Sequence, residues 1–219
     1  MTRPDAADGS DEPAPGPDAP EHDGGAATEV LVLAGAALAA IATRTAADAD
    51  RLGEDVLAGE ADATSAVAVR LRRELAEQGV ELDAAAAPVA PALSDYAAAH
   101  PGRDVVEVLV GVRLARGLVA DLGAALGGEA VSARLAGVDD PLGEPAARVV
   151  TDAAADRRTH DRLAPLARRM LGEALVLVDV LLAALPAAAA AADAADGGRR
   201  ALVKRVKSAH GRRVAALGL

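Results

Sequence analysis

Apolar residues recur along this chain with helical spacing, and no stretch alternates with period two over enough residues to argue for a sheet. That pattern confines the fold to the all-α class. The longest uncharged apolar run, VLVLAGAALAAIA at 30–42, has 13 residues and is bounded by Glu29 and Arg44. A bilayer span needs roughly 20 such residues, whereas 10–14 suits a buried core helix. The run therefore reads as a core helix, with no membrane partner expected.

The interior of such a bundle is built from few residue types. Tyr96 is the single aromatic residue, with no Phe or Trp. Ala, Leu and Val pack helices closely but lack the rings that usually dominate core energetics. The same lack removes the stacking platforms used by readers of single-stranded nucleic acid. Lys occurs twice, Ile once and Asn never, beside abundant Ala and Arg, which we attribute to a GC-rich genome. There is no Cys, so disulfides and thiolate metal sites are excluded and a cytoplasmic protein is expected.

The first 25 residues hold five Pro, four Gly and seven acids against one Arg. Such a composition buries too little apolar surface to offset chain entropy, and it lacks the basic start and apolar middle of a signal peptide. Residues 1–27 are expected as a disordered acidic tail, and 28–219 as one helical domain. The first long helix should run from Thr28, as N-cap, to Leu52. The second should cover Asp62 to Gln78. Val67, Leu71 and Leu75 form its inner face, Arg70–Glu74 and Arg73–Glu77 pair outside, and Gly79 is the stop.

A linker at 83–93 and a short helix around Tyr96 follow. The third long helix starts near Asp104, with Glu107 in capping-box spacing, and ends at Gly127-Gly128. VDDPLGEP at 138–145 should break the next helical region. LARRMLGEALVLVDVLLAAL (166–185) is a further long helix ended by Pro186. The Ala-rich 187–198 reads as a half-ordered linker before a last amphipathic helix at 199–216. Short connections imply antiparallel neighbours: an up-down bundle with one or two appended C-terminal helices.

Charge is uneven. The tail carries −6 and the last helix +7, so with −10 overall the remainder is −11. The basic helix reads as solvated or paired within the chain. An RNA contact through Lys204, Arg205 and Lys207 is the rival reading. The overall acidity disfavours nucleic acid, and no DNA is expected.

A helical bundle invites a test for carboxylate-bridged metals, which need Glu-x-x-His so that both ligands share one face. The residues three before His22, His100, His160 and His210 are Ala19, Ala97, Arg157 and Lys207, so the motif is absent. No zinc set, phosphate-binding Gly loop or nucleophile elbow is present. Ser208 and His210, two apart, do not face each other on a helix. No catalytic, cofactor-binding or metal residue is assigned. Two charges remain on apolar faces. Arg116 falls within the stripe of Val105, Leu109, Val112 and Val119, and must either snorkel outward or be paired in the core. Glu173 has Arg169 one turn earlier as an i,i+4 partner, and Asp179 points to the opposite, polar side.

LARRMLGEAL (166–175) and AHGRRVAALGL (209–219) resemble stretches of an actinobacterial ferritin-like family. That family is described as MiaE-like, after the tRNA hydroxylases that act on 2-methylthio-isopentenyl-adenosine. LAEQGVEL (75–82) and DVVEVLVGVRLARGLVADL (104–122) resemble its second and third bundle helices, so the resemblance covers about 28–219. It implies a ferritin-like four-helix core and, in active members, a di-iron site for O₂-dependent hydroxylation. Carried across, the family's ligand positions fall near Ile41, Thr64, Val67, Arg116, Asp140 and Gly143. Of these only Asp140 can bind a metal, and a hard cation needs several oxygen or imidazole ligands.

The expectation is thus a diverged, metal-free ferritin-like bundle, a pseudoenzyme with a structural or partner-binding role and no cofactor. Arg116 and Asp140 form its candidate charged core pair. Its partner is a second copy, or a related metal-bearing ferritin-like protein in a mixed dimer. The alternative is a MiaE-like di-iron tRNA hydroxylase with ligands elsewhere, for which tRNA would be the partner.

Overall fold

The computed structural model describes residues 22–138 and 142–219 and is 84% helix, with no strand among the described residues. Among the described residues ten helices follow one another: α1 (His22–Leu52), α2 (Asp55–Glu77), α3 (Leu82–Ala86), α4 (Ala90–Ala98) and α5 (Val105–Leu126). The remainder are α6 (Gly128–Arg134), α7 (Glu144–Ala154), α8 (Arg157–Ala184), α9 (Pro186–Ala194) and α10 (Gly198–Ala216). The all-α expectation holds. The tail before residue 22 lies outside the described residues.

Several expected helix boundaries are corrected. Helix α1 begins at His22, so Thr28 is not a cap; its hydroxyl donates to the Gly24 carbonyl at 2.9 Å inside the helix. Helix α2 begins at Asp55 rather than Asp62, because its first turns bury Leu57, Glu60 and Ala61. The stretch 83–93 is not a linker but parts of α3 and α4, held down by buried Leu82, Ala86, Val89 and Leu93. Helix α8 starts at Arg157, where the Asp156 carboxylate accepts from Thr159 N at 2.9 Å, and it runs through Pro165.

The Ala-rich run after Pro186 is likewise an ordered helix. Its amides would be orphaned at the N-terminus. The Glu29 carboxylate accepts from Ala188 N at 2.8 Å, capping α9 across 159 residues of sequence, and Ala188 and Ala192 are buried. The chain turns by 112° between α8 and α9.

Two buried clusters mark the ends of the bundle. Val30–Leu38, Leu71, Leu75, Leu118–Leu126 and Leu177–Leu182 gather in one. Ala49, Leu57, Val106–Leu114, Ala146, Val150 and Leu163–Met170 gather in the other. Helix α1 therefore runs from the first end to the second, and α2 returns antiparallel to it across Gly53 (φ 70°). The 78–104 connection, with α3 and α4, travels back along the bundle, so α5 is parallel to α2. This corrects the expectation of antiparallel neighbours throughout. Segments α6 and α7 together make one broken element antiparallel to α5, with the break where VDDPLGEP predicts it. Helix α8 is parallel to α5, and α10 runs back against it.

Among the described residues α1 is long and apolar enough to cross a bilayer, with a mean hydropathy of 1.9 over its best 18-residue window, and the bent α8–α9 pair passes the same test only if taken as one span. More than half of that window, 56%, is buried within the bundle, as for the core helix of a packed domain.

Candidate functional site

Arg116 is a paired core charge. Helix α5 carries it to the face that meets α2 and the α6–α7 break, where its Nη1 lies 3.3 Å from Glu60 Oε2. The two side chains are 8% and 7% exposed. Arg116 Nε donates to the Val138 carbonyl at 3.0 Å and Nη2 to the Gly137 carbonyl at 3.2 Å. The other Glu60 oxygen accepts from Gly143 N at 2.8 Å, and Thr64 Oγ1 donates to the Glu60 carbonyl at 2.8 Å. A buried ion pair survives only if its remaining hydrogen-bonding capacity is met, and here backbone groups on both sides of the break meet it. Asp140, the acid expected to face Arg116, lies outside the described residues. Glu60 went unassigned in the sequence because α2 was expected to begin after it.

A second polar cluster closes one end of the bundle between α1, α5 and α8. The buried Asp48 carboxylate accepts from Arg44 Nε and Nη2 at 2.9 and 3.1 Å, and from Arg51 Nη2 at 2.7 Å. Arg51 also donates to the Gly102 carbonyl at 2.6 Å, tying the loop before α5 to α1. Asp104 caps α5 by accepting from Glu107 N at 3.0 Å, and Glu107 accepts in turn from Arg103 N at 3.0 Å. Arg162 of α8 pairs with Asp104 and lies 3.1 Å from Glu107. Burial works to raise the Asp104 carboxyl, but the Glu107 amide and the Arg162 guanidinium outweigh it and hold it below the usual carboxylate range.

Glu173 has Arg169 at 3.9 Å, the expected i,i+4 partner, but its nearer neighbour is His100 Nε2 at 2.7 Å. His100 is 7% exposed, and its Nδ1 lies 3.1 Å from the Tyr96 carbonyl. The Nε2–Glu173 contact is short but poorly aligned, so Nε2 is buried without a hydrogen bond. Burial first, then the Glu173 charge, hold the Tyr96 phenol well above its ordinary range. Helical spacing finds Arg169; nothing local in the sequence points to His100, which reaches Glu173 only because α4 packs on α8.

Helix α10 is basic but not uniformly solvated. Arg213 turns inward and binds Asp121 of α5 through two hydrogen bonds of 2.7 and 2.8 Å. His210 Nε2 sits 3.0 Å from the Ala167 carbonyl, whereas Lys204, Arg205 and Lys207 are exposed. Burial first, and then the Arg213 charge, hold the His210 imidazole below its ordinary range, against the opposing pull of the Ala167 bond. Ser208 and His210 do not meet.

Among the described residues, no group of three or more His, Asp or Glu side chains is placed to hold a metal ion. The polar clusters pair cation with anion, an arrangement that positions helices. No protein-family model matches the chain, and no curated protein sequence matches it.

Proposed function

We propose that the chain is a diverged ferritin-like bundle in which an Arg116–Glu60 ion pair stands where relatives hold metal, and that its role is structural or partner-binding rather than catalytic. One observation carries the reading. Arg116 and Gly143, two of the positions near which the resemblance puts metal ligands, both hydrogen-bond to the Glu60 carboxylate. The guanidinium supplies positive charge between α2, α5 and the broken α6–α7 element, the place a bundle metal would take. The long 78–104 crossover between the second and third core helices supports the same descent, since ferritin-like bundles carry one such connection. Fold analogy says nothing of activity by itself, so the reading rests on the pair.

For partner binding, the support is Val176 and Val180, one turn apart on α8 and 66% and 46% exposed. A second copy or a metal-bearing relative in a mixed dimer would cover them. Iron analysis of protein produced in iron-rich medium tests the metal-free reading. Stoichiometric iron, or an oxo-bridge absorption band, overturns it in favour of a di-iron hydroxylase; iron-free protein with an intact Arg116–Glu60 pair supports it.

A further inference from the structure

Helix α10 carries seven Lys and Arg residues and no acid between Gly198 and Ala216. Two of the seven are answered within the chain, Arg199 by Asp193 and Arg213 by Asp121. The other five are Arg200, Lys204, Arg205, Lys207 and Arg212. All five are exposed, and none pairs with an acid among the described residues. Helical spacing puts them on one face. Arg200, Lys204 and Lys207 stand at i, i+4 and i+7, with Arg205 and Arg212 in the adjoining row, while Leu202, Val206 and Ala209 are buried on the opposite side. The outer face of α10 is a cationic strip on a chain whose formal charge is −10.

The chain supplies its own counterpart. Residues 1–21, which precede α1, hold six acids against the single Arg3, so their net side-chain charge of −5 matches the five unanswered cations. The start of α1 lies beside α9: a Cβ on Gly25 would meet that of Ala187 at 3.6 Å, and Glu29 caps α9 at Ala188. Helix α9 has 9 residues and leads directly into α10, which has 19. At the usual helical rise the two together span roughly 40 Å, whereas 21 extended residues reach roughly 70 Å. Five prolines fix φ within the segment and so reduce the freedom it loses on lying along a helix. One exposed ion pair is weak, but several on a tethered segment act at a high effective concentration. The remainder of the chain is acidic and repels the segment, as it would a nucleic acid approaching the same strip.

We propose that residues 1–21 lie along the outer face of α10, their carboxylates set against Arg200, Lys204, Arg205, Lys207 and Arg212. The chain has no cysteine, so Ser10→Cys gives a single site for a nitroxide label in the full-length protein. Amide line broadening reports which helix the label visits. The control has the same label and length but a neutral segment, with Asp5→Asn, Asp8→Asn, Asp11→Asn, Glu12→Gln, Asp18→Asn and Glu21→Gln. At about 10 mM salt, amides 204–212 broaden about threefold more with the acidic segment than with the neutral one, and the excess vanishes at about 1 M. Amides 70–77 of α2 do not distinguish the two. Lys204→Gln/Lys207→Gln lowers the excess by about half, in keeping with the loss of two of five cations. Equal broadening with acidic and neutral segments, or an excess that survives high salt, overturns the proposal. So does broadening of isotope-labelled chains mixed with nitroxide-labelled ones, which gives the strip to a second copy. Loss of the excess on adding equimolar tRNA gives it to nucleic acid and overturns it as well; an excess that persists beside tRNA supports it.

Discussion

Arg116 of α5 and Glu60 of α2 meet at 3.3 Å with both side chains more than nine-tenths removed from solvent, and together they hold the two sides of the α6–α7 break through the carbonyls of Gly137 and Val138 and the amide of Gly143. Removing one partner leaves the other charge buried, which costs roughly 3–5 kcal/mol. Glu60→Ala should therefore lower the urea unfolding free energy by about that much, and Arg116→Met likewise. The double variant Glu60→Leu/Arg116→Met should recover most of the loss, since an apolar pair of similar volume avoids the desolvation penalty. Additive losses in the double variant would mean the two side chains act independently.

Gly117 lets α10 dock. A Cβ added there overlaps the Arg213 guanidinium, which packs across the glycine to reach Asp121. Gly117→Ala should displace Arg213 and cost about 2 kcal/mol, although Ala is the better helix former by roughly 1 kcal/mol. Limited proteolysis would show it as faster cleavage between α9 and α10.

Acid should weaken the fold in two steps. The folded-state value of His210 is depressed, so below its ordinary value of about 6.5 the unfolded chain takes up a proton before the folded one does. Stability falls as pH drops through that window, and His210→Gln should flatten the step. Asp104 is depressed as a carboxyl, so its contribution is complete above about 4 and is lost as pH falls further, through its folded value. Urea midpoints from pH 8 to 5, and then from 5 to 3, in wild type, His210→Gln and Asp104→Asn separate the two.

Gly111 sits mid-helix in α5, and a Cβ there would meet only Met170 Cε at 3.8 Å. Gly111→Ala should raise stability by about 1 kcal/mol, from helix propensity and added contact. A lower thermal midpoint would show that the glycine serves close packing after all.

The helices were legible where the signal is local. Asp104 and Glu107 mark the start of α5, Gly79 the stop of α2, and the Pro and Gly residues of 138–145 the break before α7. The Arg70–Glu74 pair of 3.2 Å follows from spacing alone. Helix starts set by remote contacts were not legible: Glu29 caps α9 from the far end of the chain, and Leu57 and Glu60 extend α2 because of what lies opposite them. The site divides in the same way. A buried Arg116 that needs a partner is readable from a helical wheel. That the partner is Glu60, 56 residues earlier, is not.

By itself, then, the sequence determined an all-helical chain with a ring-poor, small-residue interior and a charge embedded in the stripe of α5. Those properties come from periodicity and composition, which act over a turn or two of helix. Only the tertiary structure decided that α5 runs parallel to α2, that Glu173 meets His100, and that four helices leave a common cavity between them. Each of these depends on how helices distant in sequence pack. That packing is fixed by the sum of many weak apolar contacts, and no local pattern encodes the sum.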